Sequence, residues 1–151
     1  MRVHSLEREQ VVARPLGEVF QFFSAARNLE LITPPWLAFE VLRAEPEPMR
    51  EGTLISYRLK LHGVPLRWQS RIEEWEPARR FVDMQVHGPY RLWRHRHEFE
   101  ALDGGGTLVR DRVDYALPLG PLGSVAHAAL VRRDLERIFD FRRQAVGREL
   151  G

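Results

Sequence analysis

The residues able to do chemistry are concentrated in one segment. Histidines stand two apart in Trp93-Arg94-His95-Arg96-His97-Glu98-Phe99, and a carboxylate, Asp111, lies beyond the glycines Gly104 to Gly106. On a strand, alternate side chains share a face. Trp93, His95, His97 and Phe99 then point one way, as do Val109, Asp111, Val113 and Tyr115 on the following strand. A three-residue loop in the glycine hairpin would set Phe99 opposite Val109, His97 opposite Asp111 and His95 opposite Val113. Opposed side chains are ~5 Å apart at Cβ, within reach of a hydrogen bond. A register shifted by one pair leaves Asp111 beside Phe99, still diagonal to His97. The expectation is an inward His97–Asp111 pair, with His95 beside it, on an aromatic wall.

A buried carboxylate is costly unless partnered. Two uses of the group follow. It is a satisfied polar network that fixes register or anchors the chain's last helix through Arg142, or it serves a ligand, by hydrogen bonding or by His acid–base chemistry. His95, His97 and Asp111, with His127 as a fourth donor, also have the composition of a metal site. Against that reading, His-x-His on a strand is common by chance. Nucleophilic catalysis has little support: Ser24, Ser56, Ser70 and Ser124 lack a G-x-S-x-G context. No dinucleotide or P-loop fingerprint exists, so no cofactor is expected.

The same alternation places Trp36, Tyr57, Trp68, Trp93 and Tyr115 inward. Ser70 and Gln85 are the isolated polar contacts among them. The candidate ligand-contacting set is therefore Tyr57, Trp68, Ser70, Gln85, Trp93, His95, His97, Phe99, Asp111 and Tyr115. The plainer alternative for the aromatics is a filled core. Trp75 reads as facing away from Trp68. Between 81 and 86, Val82, Met84 and Val86 alternate with Phe81, Asp83 and Gln85, and the pattern leaves open which set faces inward. Were the Val/Met set exposed, it would favour a homodimer.

The elements carrying these residues follow from periodicity and breakers. Val3 to Ala13 reads as a strand, and Pro15 suits the first turn of a helix carrying Val19, Phe20, Phe22 and Phe23. A second short helix covers Ala25 to Leu31 and stops before Pro34. Period-two segments follow at Trp36 to Ala44, Thr53 to Leu61, Val64 to Trp75, Phe81 to Val86, Tyr90 to Leu102 and Thr107 to Leu117, separated by short turns. Beyond Pro118 the period becomes helical, with Pro121 in a first turn or Ser124 as cap. There Ala128, Val131, Leu135, Ile138, Phe139 and Val146 form one stripe. Short turns imply antiparallel neighbours, and a one-sided sheet needs the ~25-residue helix as its cover.

Composition narrows the function classes. The chain has 151 residues, no Cys and a net charge of +2. It is one domain's length, spanning 1–151, with no disulfides. Lys60 is the sole lysine, and the arginines are interspersed with Asp and Glu. That is a solvated mixed-charge surface rather than a nucleic-acid site. No apolar run reaches the length of a membrane span and no secretory leader is visible, so a cytoplasmic location is the default expectation.

In this order of elements and in local motifs the chain resembles the SRPBCC (START-like) superfamily, in particular its bacterial cyclase/dehydrase-like ligand-binding members. The resembling residues are Leu29 to Trp36, Gly52-Thr53, Trp68 to Trp75 with Pro77 and Phe81, Gly88-Pro89-Tyr90, Trp93 to Phe99, Gly106-Thr107, Asp111, Val113, Tyr115, Pro118 and Ile138-Phe139. The resemblance implies an α+β helix-grip fold: a curved antiparallel sheet of six or seven strands around a long C-terminal helix, with two short helices after the first strand. It also implies a cavity between sheet and helix, and no metal. It does not choose a reaction. The leading expectation is binding of a small hydrophobic or amphipathic ligand of lipid, isoprenoid or polyketide type. A cyclase or dehydratase using His97 or His95 with Asp111 is the alternative, and a protein-interaction module the third.

Overall fold

The computed structural model describes residues 1–118 and 124–151. Strand β1 (His4–Val12) leads into helix α1 (Leu16–Phe23), a 3-10 turn (Ala26–Asn28), the single-turn helix α2 (Leu29–Ile32) and a second 3-10 turn (Pro35–Leu37). Six strands follow: β2 (Glu40–Glu45), β3 (Leu54–Leu61), β4 (Val64–Glu76), β5 (Arg80–His87), β6 (Leu92–Ala101) and β7 (Thr107–Ala116). Helix α3 (Val125–Leu150) closes the chain. All pairings are antiparallel, in the order β1-β7-β6-β5-β4-β3-β2. This is the expected helix-grip architecture, with seven strands.

Pro15 sits just before α1, where its missing N–H costs nothing, and Val19, Phe20 and Phe23 are buried beneath the helix. Phe20 meets Trp75 and Phe99 at ring separations of 5.2 Å each, closing one end of the sheet with aromatic packing. Helix α3 has 26 residues, so it extends about 39 Å along the concave face. Ser124 caps it, its Oγ accepting from the His127 N–H at 3.2 Å. The Pro121 alternative lies outside the described residues. Leu135, Phe139 and Val146 are buried from the predicted stripe, and Ala128, Val131 and Ile138 pack partly buried beside them.

Two expectations change and one open alternative is decided. Trp36 is not on a strand: Pro34 and Pro35 hold it in the second 3-10 turn, half exposed at 50 %. The strand begins only at Glu40. Trp75 faces inward, because a bulge between Ile72 and Glu74 adds one residue to β4 and reverses the alternation behind it. Phe81 and Asp83 belong to the concave side, where Phe81 stacks on His97. On the other side Val82 is fully buried and Met84 and Val86 half-buried, so the exposed strip that would have favoured a dimer is absent from the described residues.

Candidate functional site

The β6–β7 hairpin adopts the three-residue-loop register, with His97 opposite Asp111 and His95 opposite Val113. Gly104 and Gly105 carry the turn at φ of +94° and +95°, a region other residues adopt with strain. On its other edge, β6 places His97 opposite Phe81 and His95 opposite Asp83. The hydrogen bonds run along the diagonals of this grid. His97 Nε2 lies 2.7 Å from Asp83 Oδ2, and His95 Nε2 lies 2.8 Å from Asp111 Oδ1. The directly opposed pair, His97 Nδ1 and Asp111 Oδ1, is 3.5 Å apart. From α3, Arg142 reaches Asp111 Oδ1 at 3.4 Å and His97 Nδ1 at 3.5 Å. The group is thus two carboxylates, two imidazoles and one guanidinium, and both histidines are buried.

Ionised carboxylates only accept, so each Nε2 carries the hydrogen. His97 Nδ1 is then a lone pair facing the Arg142 N–H groups. Burial pushes His97 down to about 4, and repulsion from His95 adds to this, with Asp83 and Asp111 opposing it in part. His97 is neutral at pH 7. Burial alone would raise Asp111, but Arg142 and the histidines outweigh it and hold its carboxyl well below the usual range. Asp83 behaves likewise: burial raises it, and the hydrogen bond and charge of His97, with His95 and Arg142, bring it below the ordinary value. The group, with two carboxylates against one guanidinium and with His97 neutral at pH 7, is rich in acceptors. It favours a proton or a hydrogen-bond donor.

Asp83, His95 and His97 each offer a ligand atom within 4.8 Å of the others, the composition of a metal site. Their directions do not fit one. The imidazoles are stacked, with centroids 3.7 Å apart and planes 24° from parallel. Lone pairs lie in the ring planes, so two stacked rings aim side by side rather than at a common point. Converging on an ion would break both short hydrogen bonds. His127 lies outside this group.

One face of the cluster opens on a cavity of ≈170 Å³ between the sheet and α3. Its remaining wall is mostly aliphatic and aromatic, with Thr33 and Ser70 as small polar residues. Of the candidate contacts, Tyr57, Trp68, Ser70, Trp93, His95 and His97 line it, joined by Asp83 and Arg142. Tyr57 stacks on Trp68 with centroids 5.8 Å apart, and the Trp68 indole N–H donates to Ser70 Oγ at 2.9 Å. Burial, helped by the Asp83 charge, raises the Tyr57 phenol well above its ordinary value, so it stays protonated.

The other candidates lie elsewhere. Gln85 clamps the β5–β6 turn: its amide donates to the Tyr90 carbonyl at 2.7 Å and its oxygen accepts from the Tyr90 N–H at 3.1 Å. Gly88 makes room for it, since a Cβ there would come within 2.6 Å of Gln85 Oε1. Phe99 is core, against Phe20 and Phe23, and Tyr115 is buried between His4 and Tyr90. Asp111 stands behind the histidines, lining a crevice of ≈10 Å³ with Gln10 and Arg143. Asp83 is the functional candidate the sequence reading did not select, because the inward face of β5 was undecided. The usable signal was Phe81, the aromatic member of its set.

Comparison with known proteins agrees with this architecture. The family model described as polyketide cyclase / dehydrase and lipid transport matches residues 12–141. No curated protein matches the sequence. Among solved structures, the chain is similar to the Zhui aromatase/cyclase of a Streptomyces species, with TM-score 0.79, 18 % identity, and coverage of 99 % of this chain and 94 % of that one. It is also similar to the di-domain aromatase/cyclase StfQ of the steffimycin biosynthetic pathway, with TM-score 0.77, 15 % identity, and coverage of 98 % of this chain and 50 % of that one. A START superfamily protein of Mycobacterium smegmatis gives 0.65 at 15 % identity, covering 95 % and 97 %. At these identities the likeness establishes the fold.

Proposed function

Since the chain belongs to the polyketide cyclase / dehydrase and lipid transport family, we propose that it binds a small amphipathic molecule whose apolar body fills the cavity and whose hydroxyl or enol end donates to Asp83. One observation carries this reading: a largely apolar cavity has in its wall one buried ionic patch, in which the Asp83 carboxylate lines the space. Apolar burial supplies affinity at ~25 cal/mol per Å², before the costs of association. The patch supplies orientation. A site built to hydrogen-bond a hydroxyl discriminates strongly against analogues that lack it.

The reading takes the chain as a single cytoplasmic domain. Native mass spectrometry of the purified protein tests it by detecting a co-purifying small molecule. Titration with 2-naphthol and naphthalene tests it more sharply. Selective binding of the naphthol, lost in Asp83→Asn, is expected; equal affinities would refute the orienting role.

A second reading rests on His97. It is a neutral imidazole on the cavity wall, hydrogen-bonded to a carboxylate, as general acid–base chemistry requires. A cyclisation or dehydration would use Asp83 and His97 to move a proton at the bound hydroxyl, with His95, Asp111 and Arg142 holding them in place. Turnover abolished in His97→Gln with ligand affinity retained would establish catalysis. Unchanged turnover would leave binding alone.

A further inference from the structure

The cavity of ≈170 Å³ is small for a binding site. Ligand pockets run from about 300 to 1,000 Å³, and a cavity of about 150 Å³ accommodates benzene. A second hollow of ≈330 Å³ lies outside it, between the 3-10 turn Pro35–Leu37, the β3–β4 turn and α3. Leu37, Leu61 and Ile138 line both spaces, so these aliphatic side chains stand between them.

The outer hollow differs from the inner one in its polar groups, which are Arg137, His62 and Asp134. Asp134 is already engaged, its Oδ2 lying 2.7 Å from His62 Nε2. Arg137 lies over the Trp36 ring at 5.1 Å and has no hydrogen-bond or carboxylate partner among the described residues. Elsewhere on α3, Arg132 pairs with Glu136, Arg142 with Asp111, and Arg143 with the Glu9 carbonyl, whereas Arg133 and Arg148 do not line this hollow. A guanidinium held over an indole keeps N–H groups available, an arrangement suited to a carboxylate.

We propose that the outer hollow is a second subsite of the same ligand, and that Arg137 there takes an anionic carboxylate at the ligand's outer end. The apolar body passes Leu37, Leu61 and Ile138 to reach the inner cavity. The proposal rests on the reading of that cavity as a binding site, and adds the class of ligand: an apolar acid, charged at the end away from Asp83.

Isothermal titration of the full chain with 5-(6-hydroxynaphthalen-2-yl)pentanoic acid and with its methyl ester tests it. The acid should bind roughly fivefold tighter than the ester, the scale of a partly exposed ion pair. Arg137→Met, which keeps an apolar stem over Trp36, should erase that preference while leaving ester affinity unchanged. Asp134→Asn removes the opposing negative charge and should tighten the acid further. Equal affinities for acid and ester in the wild type, or a preference surviving Arg137→Met, would overturn the subsite alone. Weaker acid binding in Asp134→Asn would do the same. If neither probe binds, the cavity reading falls and the subsite with it.

Discussion

The two faces of the β4–β7 sheet carry similar charged groups under opposite conditions. On the convex face, Arg94 meets Glu74 at 2.9 Å and Arg112 meets Glu7 at 3.1 Å, with these side chains about one-third to two-thirds exposed. On the concave face, contacts of 2.7 and 2.8 Å join histidines and aspartates that are less than one-fifth exposed. Distances alone do not separate the two sets. Solvent does, because exposed pairs are screened and worth ~0–1 kcal/mol, whereas a buried charge that loses its partner costs several. Arg94 and Arg96 alternate with His95 and His97 along a single strand. The contrast therefore arises from the sheet having one covered face, not from a separate segment of sequence.

Four substitutions or conditions sharpen this contrast. The largest effect is expected for Arg142→Met, which leaves Asp111 buried without its guanidinium and should cost about 3–5 kcal/mol, measurable by urea denaturation. Acid comes next. His97 titrates at about 4 when folded, below its unfolded value of 6.5, so between these values the unfolded chain binds more protons. Stability is then whole above about pH 6.5 and lost as pH falls toward 4, by on the order of 3 kcal/mol. Asp83 and Asp111, also lowered, extend the loss below the ordinary Asp range of ~4. A melting profile against pH should show this fall in the wild type and a shallower one in His97→Gln.

His97→Phe divides the structural role from the ligand role. It leaves Asp83 without its closest partner, and a loss of roughly 1–3 kcal/mol is expected. An unchanged melting temperature would mean that the imidazole serves the ligand alone. The smallest effect belongs to the convex face: Arg94→Ala should shift stability by less than about 1 kcal/mol. A larger shift there would contradict the assignment of the difference to solvent.

Much of the fold was legible before any coordinates. Gly104 to Gly106 identified the hairpin, and of the two registers left open, the three-residue loop that sets His97 opposite Asp111 is the one found. The stripe on α3 named the residues that cover the sheet. The site was only half legible. Alternation specifies which residues share a face, but not which face a strand of mixed pattern turns inward, and β5 is such a strand. Asp83 was hidden for that reason. Trp75 was misplaced because one extra residue in β4 inverts every side chain after it, and no turn residue marks the bulge.

By itself, the order of residues determined the elements, their antiparallel neighbours and the presence of a histidine–aspartate group on a covered wall. These depend on short-range periodicity and on where glycine and proline interrupt it. Tertiary structure alone decided who partners whom. Sheet geometry sends the hydrogen bonds of His95 and His97 along diagonals, to Asp111 and Asp83, and α3 delivers Arg142 from 31 positions away to balance one of them. The space left between helix and sheet belongs to the same class, since a cavity is a difference of packed volumes that no single segment carries.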